Sequence, residues 1–184
     1  MALEQAIDRF IDSAHQILAR EGATEVGLRQ IGDEMRILAR TPGLDPEQPG
    51  ESMHHSDATS TMLHSDGIDG LTLILAKFPE TAATPIHDHN SWGVACVVSG
   101  RDRYQHFERV DDGADQEHAQ LRLLYERELD PQDVVVWTSP PNDIHCQQGI
   151  GGPAWELVLF GVNAMALPRR YFNLETGGVH EAMP

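Results

Sequence analysis

Basic residues are scarce in this chain of 184 residues. Thirteen lysines and arginines stand against 29 acids, a formal net charge of −16. A surface so acidic repels nucleic-acid phosphates and anionic membrane headgroups, so neither a nucleic acid nor a membrane is expected as a partner. An anionic small molecule is admitted only where an arginine cluster or a metal ion offsets the field. Cysteine is nearly absent: Cys96 and Cys146 make no disulfide framework, which points to a reducing compartment. Apolar runs are short, and none approaches the roughly 20 residues that cross a bilayer. The opening "MALEQAIDRF" carries acids and no basic leader region, so a cytoplasmic location is expected. There is no internal repeat and no low-complexity segment, and the length suits one domain.

What is present falls into two parts. From Met1 to Arg20, Leu3, Ile7, Phe10, Ile11, Ala14, Ile17 and Leu18 form a helical stripe that Gly22 is placed to end. A weaker stripe runs through Val26, Leu28, Ile31, Met35 and Leu38. The stretch "TPGLDPEQPGES" then breaks regular structure with its prolines and glycines. Beyond it the pattern is short and β-rich: "LTLILAKF", "VACVVS", "RYQHFERV", "LRLLYERE", "DVVVWT" and "WELVLFG", with Gly, Pro, Asn and Asp in the gaps. Short strands without intervening long helices predict an antiparallel sandwich or barrel. Residues 1–50 are expected to form helices and a linker leaning on a barrel made by residues 51–184.

Within "TPIHDHNSWGVACVVSG", His87 and His89 sit one residue apart at the start of a strand-like segment. Side chains two apart on a strand share a face, so both imidazoles can aim at one point. A third histidine, His145, follows the turn "SPPND" and leads into another segment. Three neutral imidazoles converging in a barrel would hold a divalent metal on one side and leave its other positions open.

The same residues resemble the cupin superfamily, and within it the thiol dioxygenases. His87-Asp88-His89, Gly93 and Gly100 match the first cupin motif except that Gly93 stands where the motif has Glu. "PPNDIH" matches the second motif, with Asn142 in place of Gly and His145 as the final histidine. Loss of the motif carboxylate is itself the thiol dioxygenase pattern, and "PIHDHNSWG" is similar to the branch acting on 3-mercaptopropionate. The resemblance implies a mostly β, jelly-roll type cupin barrel behind an N-terminal helical section. It also implies Fe(II) held by His87, His89 and His145, and oxidation of a small mercapto-carboxylic acid by O2 to a sulfinate. Geometry alone would also admit zinc, nickel or manganese.

The chain departs from that family in two places. The Ser-His-Tyr relay beyond the third histidine maps onto Glu156, Val158 and Phe160, or onto Val158, Phe160 and Val162, so it is missing or rebuilt. Glu156 is carried as a possible catalytic group or an outward-pointing side chain, and Phe160 as a substrate contact or core residue. The arginine that cysteine dioxygenases place before the histidine pair is also absent, since "TSTMLHSDG" offers only Thr61 and His64. "ALPRRYF" offers Arg169 or Arg170 as the carboxylate anchor, because a guanidinium grips a carboxylate through two parallel hydrogen bonds. Trp92 is expected either at the pocket mouth or in the core. Cys146 is expected to point away from the ligand face. His54, His55 and His64 are expected to be solvated, and His106, His118 and His180 to lie on the surface. Two other readings stay open: a cupin dioxygenase acting on a chelating substrate that is not a thiol, and a metal-binding cupin without turnover. The oligomeric state is left open.

Overall fold

The computed structural model describes residues 2–44, 51–52 and 57–184. The chain opens with α1 (Leu3–Glu21) and α2 (Glu25–Leu38). Gly22, at φ 67°, ends α1, and the Thr24 hydroxyl caps α2 by accepting the Gly27 N–H at 3.2 Å. Strands β1 (Glu51–Ser52), β2 (Thr59–Ser65), β3 (Thr72–Phe78), β4 (Ile86–His87), β5 (Gly93–Ser99) and β6 (Asp102–Arg109) follow. Then come β7 (Leu121–Leu129), β8 (Val134–Trp137), β9 (His145–Gly149), β10 (Ala154–Phe160), β11 (Arg169–Phe172) and β12 (Val179–Ala182). All six predicted β segments are strands. Half of the Pro-rich stretch, and His54 and His55, lie outside the described residues.

The strands form two six-stranded antiparallel sheets, ordered β1-β2-β3-β10-β5-β8 and β12-β11-β4-β9-β6-β7. This is the expected mostly β, jelly-roll barrel. No helix of the described residues is long and apolar enough to cross a membrane.

The central strand β10, "AWELVLF", is buried at every position instead of alternating. Its two faces meet different cores. Trp155, Leu157 and Leu159 pack outward with Leu73, Leu75, Val94 and Cys96 against Phe10, Ile11, Leu28, Ile31 and Met35 of the helices. Val158 and Phe160 face inward with Ile74, Ala95, Val135 and Trp137. The helices therefore remove the outer face of the first sheet from water, and a continuous apolar run replaces alternation.

Gly93 lies under the Trp137 indole, where an added Cβ would stand 2.1 Å from the ring. Glycine is required there by close approach. Gly93→Ala must push the ring aside, and overpacking of this kind costs about 1–3 kcal/mol. Chemical denaturation should show that loss, while the same change at the open Gly67 turn, where φ is 105°, acts only through backbone strain.

Candidate metal centre

Strand register brings the histidines together. His87 on β4 is paired directly with His145 on β9, and directly opposed residues of an antiparallel pair present their side chains on one face. β4 ends at His87, so His89 is carried by the segment beyond it. The Asp88 N–H still donates to the Arg170 carbonyl at 3.1 Å, which prolongs the alternation to His89 before Asn90 turns the chain at φ 52°. Two acids pin this segment from outside. Asp143 accepts the His89 N–H at 3.0 Å, and Asp88 accepts both the backbone N–H and the Nε–H of Arg170, at 2.8 and 2.5 Å.

The potential ligand atoms of His87, His89 and His145 all lie within 4.8 Å of one another, and all three residues are buried. His89 Nε2 and His145 Nε2 are 3.2 Å apart. With metal–nitrogen bonds of about 2.0–2.1 Å, ligand nitrogens at 90° to 109° stand about 2.8–3.4 Å apart, so this separation fits two ligands of one ion. The His87 Nδ1–H donates to the Pro85 carbonyl at 2.8 Å, which turns its Nε2 lone pair toward the others. Burial lowers the basicity of all three rings, with the positive charge of Arg169 adding to it, and His87 falls to about 3. At neutral pH the three imidazoles are neutral, the form that binds metal. The group could hold a metal ion.

The trio opens on a cavity of about 40 Å³ whose other walls include Trp137, Gln147, Val158, Phe160, Arg169 and Tyr171. No acid lines it among the described residues. Register again explains the choice between the two arginines. Tyr171 pairs with His87, so it and Arg169 share the inward face of β11 while Arg170 points out to Asp88. Arg169 is 4% exposed. Its Nη2 donates to the Ala164 carbonyl at 3.2 Å, while Nε has no partner among the described residues. Burial lowers its pKa only to about 10, so it remains a cation.

Several expectations change in the structure. Trp92 packs against the helix-side core and over Gly161, and Trp137 takes the place at the cavity wall. Glu156 does not point outward. It shares the inward phase of Val158 and Phe160, is fully buried, and sits behind Gln147 instead of lining the cavity. His106 is not a surface residue either: it is buried, directly opposite His145 and stacked on Tyr125 at 5.1 Å. His64 is half-buried and bonded to Asp66 at 2.8 Å, whereas His118 and His180 are exposed as expected. Phe160 lines the cavity 4.6 Å from the His89 ring. Cys146 turns away into a small cluster with Phe107 and Phe172.

Tyr104, Tyr171, Trp137 and Gln147 were not foreseen. Tyr104 is fully buried, with its hydroxyl 3.3 Å from His145 Nδ1 and 3.4 Å from His106 Nδ1. Accepting from His145 and donating to His106, it leaves His145 Nε2 free for a metal. The alternation of Tyr104 and His106 in "RYQHF" is the sequence signal that could have found this pair.

No known family model and no curated protein matches the chain. Among solved structures, it is similar to an RmlC-like cupin protein of Ralstonia eutropha, with 16% identity, 72% of this chain and 71% of that one covered, and a TM-score of 0.48. It is also similar to an oxalate oxidase, with 17% identity, 64% and 54% coverage and a TM-score of 0.43. A DMSP lyase structure gives 16% identity, 64% and 53% coverage and a TM-score of 0.46. The chain spans about half the length of the last two.

One divalent ion per chain is expected, and His145→Ala should abolish most of it, because two imidazoles hold such an ion poorly. Metal analysis after dialysis checks this, and full occupancy in His145→Ala would exclude the three-histidine site. Tyr104→Phe should retain the fold and weaken metal affinity about tenfold to a hundredfold in competition with a chelator.

Proposed function

We propose that this protein is a cytoplasmic Fe(II)-dependent thiol dioxygenase. Its substrate is a small mercapto-carboxylic acid of the 3-mercaptopropionate or mercaptosuccinate type, oxidised by O2 to the sulfinate. One observation carries this reading: a buried, cationic Arg169, its Nε without a partner among the described residues, lines the same cavity as three neutral imidazoles, and none of the described acids lines it. Such a cavity demands an anion. A mercapto-carboxylate supplies two, a thiolate for the metal side and a carboxylate for the guanidinium.

His87, His89 and His145 would hold the iron, and Fe(II) would supply the chemistry that brings a thiolate and O2 into reaction. Three neutral ligands leave its positive charge uncompensated, which favours an anionic substrate over a neutral one. The donor set alone does not select iron, and the oxygen chemistry does. The overall conversion balances as RS⁻ + O2 → RSO2⁻: sulfur loses four electrons, O2 gains them, and both oxygen atoms end on sulfur. The chain's own part is to bind and orient. Arg169 grips the carboxylate and sets the direction of the thiol. Trp137, Val158 and Phe160 wall the reacting end with apolar surface and exclude water. The Tyr171 phenol, raised in pKa by burial, stays protonated at the cavity wall beside His87.

Val158 and Phe160 leave the wall apolar where the polar relay of the resembled family would stand, so a thiol panel is the direct test. Oxygen uptake should occur with mercapto-carboxylates at one O2 per thiol. A carbon-cleaving enzyme would ignore the thiols, and a non-catalytic metal protein would consume no oxygen. Arg169→Ala should raise KM for the acid about tenfold to a hundredfold, the worth of one charge-assisted hydrogen bond of about 1.5–3 kcal/mol. It should leave an uncharged thiol of similar size nearly unchanged. Arg170→Ala should cost stability by leaving the buried Asp88 unpaired, but in the metal-loaded protein it should leave the KM close to that of the parent, because Arg170 lies outside the cavity. Steady-state kinetics on both variants decide whether Arg169 is the anchor.

A further inference from the structure

Behind the cavity wall lie two carboxyl groups that the reaction above does not use. Asp102 and Glu156 are both completely buried, and neither has a lysine or arginine acting on it among the described residues. Asp102 Oδ1 accepts the Gln148 backbone N–H at 3.1 Å, and Glu156 Oε2 accepts Gln147 Nε2 at 2.7 Å. The other two oxygens, Asp102 Oδ2 and Glu156 Oε1, have no partner among the described residues. Two adjacent buried anions without a cation are costly, whereas one proton on Glu156 directed at Asp102 serves both orphaned oxygens. Burial raises Asp102 to about 7, and burial with Asp102 beside it raises Glu156 well above the ordinary carboxyl range. The pair is therefore a neutral acid beside a carboxylate.

That pair orients Gln147. The Gln147 backbone is clamped to Thr84, donating to its hydroxyl at 3.1 Å and accepting its N–H at 2.8 Å. Its side-chain amide lies between the carboxyls on one side and the cavity on the other. Carboxyl oxygens that face an amide accept from its nitrogen, so turning the amide over would set oxygen against oxygen. With its nitrogen held by Glu156, the amide oxygen is the polar atom that Gln147 has left to offer the cavity it lines with the three histidines and Arg169.

We infer that Gln147 is a specificity-determining residue, whose amide oxygen, oriented by the Glu156–Asp102 pair, selects a mercapto-carboxylate carrying a hydroxyl on its carbon chain. The inference rests on the mercapto-carboxylate reading above. A donor is required because the wall atom only accepts. A neutral donor is favoured over an ammonium because the cavity already holds Arg169 and the three-histidine face and has no acid in its lining among the described residues. A second carboxylate would meet the acceptor unfavourably, so of the two acid types proposed above the monocarboxylic 3-mercaptopropionate type is favoured.

The test is isothermal titration of the Fe(II)-loaded protein, without oxygen, with 3-mercaptopropionate and with 2-hydroxy-3-mercaptopropionate. The parent protein should bind the hydroxy acid about threefold to tenfold more tightly, the range of one neutral hydrogen bond. Gln147→Met should bind the two acids equally. Glu156→Gln keeps one donor and one acceptor in place of the neutral acid and should preserve the preference, whereas Glu156→Leu should lose it. If Glu156→Leu does not fold, Gln147→Met and Glu156→Gln carry the comparison. Equal binding by the parent, or a preference that survives in Gln147→Met, overturns the role of Gln147 alone. If the parent binds neither acid, the mercapto-carboxylate reading falls, and this inference falls with it.

Discussion

Three imidazole lone pairs aimed at one another inside an apolar barrel repel, and only a cation or a shared proton reconciles them. Burial removes the proton option by depressing the basicity of all three rings. Much of the surrounding structure enforces the convergence against that repulsion. Pro85 and Tyr104 orient two of the rings from behind, while Asp88 and Asp143 fix the backbone that carries the third. This is the pattern of a site arranged in advance of an ion that it could hold.

The placement of charge follows from the same constraint. The chain is strongly acidic, yet its acids are kept off the cavity wall among the described residues. Asp88 and Asp143 act on the backbone behind the histidines, Asp88 is neutralised by Arg170, and the Glu156–Asp102 pair stands behind an amide. Arg169 is left as the buried cation of the cavity, so the interior is positive inside a negative exterior. An anion that reaches the cavity finds partners there that the surface does not offer.

Packing requires glycine at position 93. Gly93 has no room for a Cβ under the Trp137 indole, and that indole contacts the rings of His89 and His145 at 5.8 and 4.9 Å. A larger residue would displace the wall of the site. The helices contribute from the opposite side of the same sheet. By covering its outer face they allow β10 to be apolar throughout, and a rigid, doubly buried strand then presents Val158 and Phe160 to the cavity.

Local pattern determined a good part of this protein. Helical periodicity placed both helices, β-rich runs placed six strands, and the His87–His89 spacing with His145 marked the histidine group that could hold a metal ion. These signals are short-range: a side-chain period, a turn, or two residues on one face. The remainder depended on register between strands distant in sequence. Nothing in "PRRYF" says which arginine faces inward, because alternation has no absolute phase until Tyr171 is set against His87. The same pairing of β6 with β9 turned His106 inward and brought Tyr104 against His145. Glu156, an acid in an apolar run, reads as exposed until the helices cover one face of β10 and the barrel closes over the other. Sequence specified the elements and the three candidate histidines, and the tertiary structure alone decided which polar side chains share the interior, because a face is defined only by what packs against it.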